Sequence, residues 1–185
     1  MEKITVAVLA GTVRPGRRSI NAAKLVYEVG QKREDIMTVF VDPAELPFEK
    51  DGNNEELKVP EYTKITAEAD AFFIVTPEYN HGYPGSLKRM LDSEYANYKH
   101  KPVGLAGVSD GQWGGVRAIE HLVPSLRKMG LVLLQKDVQF PNVLELFNEN
   151  GELQDQKYIE RINRVYDELV WMATALKAAK SNGNV

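Results

Sequence analysis

Ala71-Phe72-Phe73-Ile74-Val75 is apolar at every position and runs through Thr76 into Pro77-Glu78-Tyr79-Asn80-His81-Gly82-Tyr83-Pro84-Gly85, where Ser86-Leu87-Lys88 opens a helical pattern. A strand with no polar alternation has no wet face, so it belongs in a parallel sheet covered on both sides. The same order, a short apolar run and then a helical stretch, repeats outward in both directions. Strands are expected at Ile4–Leu9, Met37–Val41, Ala71–Thr76, Val103–Val108 and Leu131–Leu134, the last with an extension to Phe140. Helices are expected over Ser19–Gln31, Glu61–Ala69, Gly85–Tyr98, Gly115–Met129 and Gln154–Lys180. Such alternation supplies right-handed crossovers, and the fold class is a doubly wound α/β sandwich.

A length of 185 residues, 43% apolar and 26% charged, implies one domain over residues 1–185 and excludes disorder, collagen and a membrane-spanning helix. With 23 basic and 26 acidic residues, a formal charge of −3 gives no footprint for nucleic acid. The absence of cysteine removes thiolate catalysis, Cys-ligated zinc and iron–sulfur clusters. Met1-Glu2-Lys3 passes at once into a strand without the features of a secretory signal, so a cytoplasmic location is expected. Asp42–Pro60, with Pro43, Pro47 and Asp51-Gly52-Asn53-Asn54, is the one long connection, and such loops are commonly functional.

Ligands of open parallel sheets sit beyond the carboxyl ends of the strands, where strand order reverses. Three loops leave that edge. The first, Gly11-Thr12-Val13-Arg14-Pro15-Gly16-Arg17-Arg18-Ser19, brings hydroxyls and arginines to the start of a helix and suits a phosphate. It fits neither the Walker pattern nor the three-glycine dinucleotide fingerprint. A solvated loop with Ser19 as an ordinary N-cap is the alternative. The second, Pro77–Gly85, is stiffened by prolines and presents backbone groups suited to the edge of a planar heterocycle, or else is a structural turn with Tyr79 in the core. The third, Ser109-Asp110-Gly111-Gln112-Trp113-Gly114-Gly115, allows a ligand to lie against bare backbone. Its Trp113 suits a lid, a subunit contact or no role at all. His81 has no nucleophile of elbow type nearby, so no side-chain catalyst is assigned.

These three loops resemble the NAD(P)H-dependent FMN reductase family of flavodoxin-like quinone, azo-dye and metal-ion reductases, over residues 4 to about 140. The resemblance implies a flavodoxin-like three-layer sandwich with a five-stranded parallel sheet of order 2-1-3-4-5 and non-covalent FMN. It also implies NAD(P)H as co-substrate, a small-molecule electron acceptor, a ping-pong cycle, and a homodimer or homotetramer. Thr12, Arg14, Ser19 and Asn21 fall where the family holds the FMN phosphate, with Arg17 a further candidate by its charge, and Pro77, Glu78, Tyr79 and Asn80 fall where it lines the ring and ribityl chain. Ser109, Gly111 and Gly114 match the third loop. The first loop departs from the commonest form, because Ser19 follows Arg14 by five residues rather than about three. Subunit contacts are expected from the Asp42–Pro60 loop and from Tyr95 and Tyr98 on the Gly85–His100 segment. A flavodoxin-type electron carrier is the competing class; such carriers are usually strongly acidic, and this chain is not. A flavin-dependent regulatory or scaffold protein is a further alternative.

Overall fold

In a computed structural model, residues 3–48 and 58–183 are described. Five strands, β1 (Ile4–Ala10), β2 (Ile36–Val41), β3 (Ala71–Pro77), β4 (Pro102–Val108) and β5 (Val132–Phe140), form one parallel sheet in the order β2-β1-β3-β4-β5. Six helices accompany them: α1 (Ser19–Gln31), α2 (Pro60–Glu68), α3 (Gly85–Asp92), α4 (Val116–Lys128), α5 (Val143–Leu146) and α6 (Lys157–Ser181). This is the flavodoxin-like order that the family resemblance implies.

The strands divide their side chains by the period of two that the pleat imposes. Val6, Val8 and Ala10 of β1 with Ala71, Phe73 and Val75 of β3 pack against α1 and α6. Ala7 and Leu9 with Phe72 and Ile74 pack against α2, α3 and α4. Every residue of β3 is buried, which is why its sequence is apolar from Ala71 to Val75. At about 1.5–3 kcal/mol for each large apolar side chain removed from water, the two cores hold the layers together.

Three features depart from the sequence reading. The segment expected as one helix to Tyr98 stops at Asp92, where Ser93 Oγ donates to Met90 O at 2.7 Å. A 3₁₀ turn, Ala96–Tyr98, follows, with the buried Glu94 accepting from Thr63 Oγ1 and Asn97 Nδ2. Tyr98 is thereby turned inward to meet the Tyr62 hydroxyl at 2.8 Å, so it is core, not a subunit contact; Tyr95 stays 43% exposed. Second, β5 takes the extension to Phe140 that the sequence offered, but its pairing with β4 slips, Val103 opposing Leu133 while Leu105 opposes Asp137. Third, α5 has four residues, too few to show a period. Of the Asp42–Pro60 connection, residues 49–57 lie outside the described residues. Among the described residues no helix is long and apolar enough to cross a membrane.

Lys101, just before β4, donates from Nζ to Thr66 O at 2.7 Å and Ala67 O at 3.1 Å, satisfying carbonyls at the carboxyl end of α2. Burial, helped by the like charge of Lys180, holds its amine down to about 8. The folded chain therefore releases this proton before the unfolded chain does, and Lys101 adds stability as pH rises from about 8 to about 10.5. Urea unfolding of the wild type and Lys101→Met across that window should show the difference moving in favour of the wild type. A difference that stays flat with pH contradicts this.

Candidate functional site

The carboxyl edge of the sheet is shaped first by glycine. Gly11, one residue past β1, donates its N–H to Val75 O at 2.8 Å, and a Cβ there would lie 2.7 Å from that oxygen. From Gly11 the chain turns outward through Gly16, in the left-handed region at φ 69°, with Arg17 N–H donating to Arg14 O at 3.3 Å. α1 then begins at the buried Ser19, and no side chain caps it. Ser19 is therefore not an N-cap, and while Asn21 N–H donates to Arg18 O at 3.1 Å, the Ser19 and Ile20 amides are left for an anion.

Thr12 lies beneath this loop, 2% exposed. Its hydroxyl and the Tyr79 hydroxyl are 3.1 Å apart, and its Oγ1 also accepts the Arg14 N–H at 3.3 Å. The Arg14 guanidinium stands 5.6 Å from the centre of the Tyr79 ring. Arg17 is committed to an ion pair with Asp42, the residue following β2, which is itself nearly buried. The net positive charge facing this part of the cleft thus rests mainly on Arg14 and Arg18.

The second loop is a tight turn. Tyr79 N–H donates to Gly82 O at 2.8 Å and Gly82 N–H to Tyr79 O at 3.0 Å, with Asn80 and His81 both at positive φ, 50° and 66°. Left-handed geometry at both central positions marks a type I′ turn, which asparagine tolerates well. Glu78 N–H donates to Val108 O at 2.9 Å, tying this loop to β4. Its carboxylate Oε1 accepts from Arg117 Nη1 at 3.4 Å, while Oε2 is buried without a partner among the described residues.

The third loop is stitched to the end of β5 and the start of α5: Ser109 N–H donates to Phe140 O at 3.1 Å, Asn142 N–H to Gly111 O at 3.3 Å and Val143 N–H to Ser109 O at 3.1 Å. Gly114 and Gly115 are buried at positive φ, and their missing side chains make room for Gln139 and for the backbone of Val108. They let the loop pack closely onto the ends of β4 and β5. Gly111 alone faces open space.

Together the loops enclose a cavity of about 350 Å³ lined by residues 14–19, Pro77, Glu78, Tyr79, Val108, Ser109, Asp110, Val143 and Leu144. It lies where β1 and β3 lead to opposite sides of the sheet, the switch point of the fold. Of the residues picked from sequence, Arg14, Arg17, Ser19, Pro77, Glu78, Tyr79 and Ser109 line it. Thr12 supports it from below. Asn80 is exposed at the turn tip, and Gly111 and Gly114 are not part of its wall. Asn21 lines a separate groove of about 540 Å³ with Lys24, Gly151 and Gln156. That groove is larger, yet the amides of α1 and the arginines of the first loop converge on the smaller cleft. The sequence reading missed Val143 and Leu144, distant in the chain; the exposure of Leu144, 53%, is their one anomaly. Among the described residues no three His, Cys, Asp or Glu side chains gather to hold a metal.

Residues 4–145 match the NADPH-dependent FMN reductase family. The chain belongs to that family. It is an oxidoreductase family that uses FMN and NAD(P)H. The chain is 27% identical over 184 residues to the NAD(P)H-dependent FMN reductase of Pseudomonas aeruginosa, covering 92% of this chain and 96% of that one. It is 27% identical over 177 residues to the NADPH azoreductase of a Bacillus species, covering 95% and 96%. Among solved structures, the flavoenzyme NAD(P)H:(acceptor) oxidoreductase FerB from Paracoccus denitrificans superposes with a TM-score of 0.72 at 23% identity, covering 92% of this chain and 98% of that one.

The two glycine roles separate experimentally. Gly115→Ala places a Cβ 2.4 Å from Val108 N at φ 81° and should cost about 2–4 kcal/mol in urea unfolding. Gly111→Ala, with open space, should stay within about 0.5 kcal/mol of wild type. Equal costs for the two contradict the assignment of Gly115 to packing.

Proposed function

We propose that the cleft holds FMN non-covalently, and that the chain transfers reducing equivalents from NAD(P)H to a small electrophilic acceptor. The observation that carries this reading is the pairing, in one cavity, of an uncapped α1 start beside Arg14 and Arg18 with a rigid wall of Pro77, Val108, Val143 and Leu144. The first end suits a terminal phosphate and the second a flat apolar ring. When bound, FMN supplies the hydride chemistry, accepting and donating two electrons.

The chain's own residues bind and orient. The α1 amides, Ser19 and Arg14 would hold the phosphate, and Arg17, countered by Asp42, would shape the loop more than add charge. The Pro77–Tyr79 segment, fixed to Val108 and Gly82, would set the ring's plane. The unpartnered Glu78 Oε2 offers a buried acceptor to a ligand hydroxyl or N–H. No side-chain acid or base is assigned, since His81 sits exposed on the turn tip. Nicotinamide donor and acceptor would use the same mouth in turn, a ping-pong order. Quinones, azo compounds, free flavin and metal ions all need access to that mouth more than a tailored pocket.

Leu144 and the 57% exposed Trp113 offer apolar surface near the cleft, which supports a second copy completing its wall in a homodimer or homotetramer. The absence of a membrane-crossing helix among the described residues is consistent with a cytoplasmic enzyme.

Arg14→Ala tests the phosphate end. Loss of a charge-assisted contact should raise the FMN dissociation constant by roughly 10- to 100-fold while changing that for riboflavin by about twofold at most, measured by flavin fluorescence quenching. Equal losses for both flavins would sink the assignment.

A further inference from the structure

Tyr79 and Thr12 belong to loops 67 residues apart, and their hydroxyls meet at 3.1 Å. Thr12 Oγ1 also accepts the Arg14 N–H at 3.3 Å, and the Arg14 guanidinium lies over the Tyr79 ring at 5.6 Å. These three contacts close a ring, Thr12 to Arg14 to Tyr79 and back. Two of its members, Arg14 and Tyr79, line the cleft, while Thr12 is buried under it, where water cannot replace the tyrosine as partner. The backbone of Tyr79 is in turn clamped to Gly82 at 2.8 and 3.0 Å, so the ring is carried on a fixed turn.

The geometry points to Tyr79 as a positioning residue that couples the two ends of the cleft. Engagement of Arg14 by a phosphate fixes the first loop, the fixed loop holds the Thr12 hydroxyl, and the Thr12–Tyr79 bond fixes the turn carrying the ring wall. This rests on the FMN reading of the cleft. By reciprocity, a ring seated against that turn tightens the hold on the phosphate, so the hydroxyl pair favours FMN over riboflavin beyond the direct phosphate contacts. A hydroxyl that merely supported the turn would act on both flavins alike.

The test is a double-mutant cycle read by flavin binding. Tyr79→Phe keeps the ring and its contact with Arg14, Thr12→Val removes the other hydroxyl, and Thr12→Ser restores it. Each deletion should weaken FMN by about 3- to 10-fold and riboflavin by less than about twofold. Because Thr12→Val also gives up the Arg14 N–H contact, the double variant should lose no more than Thr12→Val alone, and Thr12→Ser should bind FMN as the wild type does. Far-UV circular dichroism verifies folding, and if Tyr79→Phe fails to fold, the comparison of Thr12→Val with Thr12→Ser decides. Unchanged FMN binding in the single variants, equal losses for FMN and riboflavin, or losses that multiply in the double variant would each overturn the coupling while leaving FMN in the cleft. Equal binding of FMN and riboflavin by the wild type would instead overturn the phosphate reading, and the coupling with it.

Discussion

The carboxyl ends of β1 and β3 are held together beyond their last paired residues by one hydrogen bond, Gly11 N–H to Val75 O at 2.8 Å, and the cleft is laid out from that point. Only glycine permits it, because a Cβ would collide with the backbone of Val75 and Thr76. From there β1 feeds a loop that leads to α1 on one face, and β3 a turn that leads to α3 on the other. The gap between the departing chains is the cleft. A parallel sheet buried on both faces makes this edge the place where backbone amides can reach a ligand without breaking the core.

Electrostatic balance at the edge follows from the same layout. Asp42, just past β2, is close enough to the first loop to take Arg17 as its partner. Three arginines in five residues therefore do not act as one charge cluster. Arg17 anchors the loop to the neighbouring strand, and Arg14 stacks over Tyr79, where its charge stays available. The Glu78–Arg117 pair joins the second loop to α4 in a similar way, at a looser 3.4 Å. The first two loops of the cleft are thus each tied to a neighbouring element by a side chain as well as by backbone.

Much of this was legible in the chain. The apolar runs placed all five strands, and Ser19–Gln31 was read with the bounds that α1 has. What escaped depends on contacts between distant segments. The break after Asp92 comes from Glu94 and Tyr98 finding polar partners on α2, which no local pattern reveals. Gly114 and Gly115 look like ligand-facing glycines, yet they are required by the closeness of their loop to the ends of β4 and β5. Asn21 follows Ser19 by two residues, a rotation of about 200° around a helix, and it lines the separate groove with Lys24 and Gly151. Asn80 has the side chain for a polar contact, but its left-handed backbone puts it at the tip of a turn.

The central claim is that the folded edge positions a flavin and leaves the redox chemistry to it. The most direct test is anaerobic titration of the FMN-loaded wild type and His81→Ala with NADH and with NADPH, followed through the visible absorbance of the flavin. The expected result is complete bleaching of both proteins by at least one nicotinamide, at rates within about twofold of each other. Bound FMN that stays oxidised with both nicotinamides, or a His81→Ala variant that keeps its FMN but is no longer reduced, would contradict it.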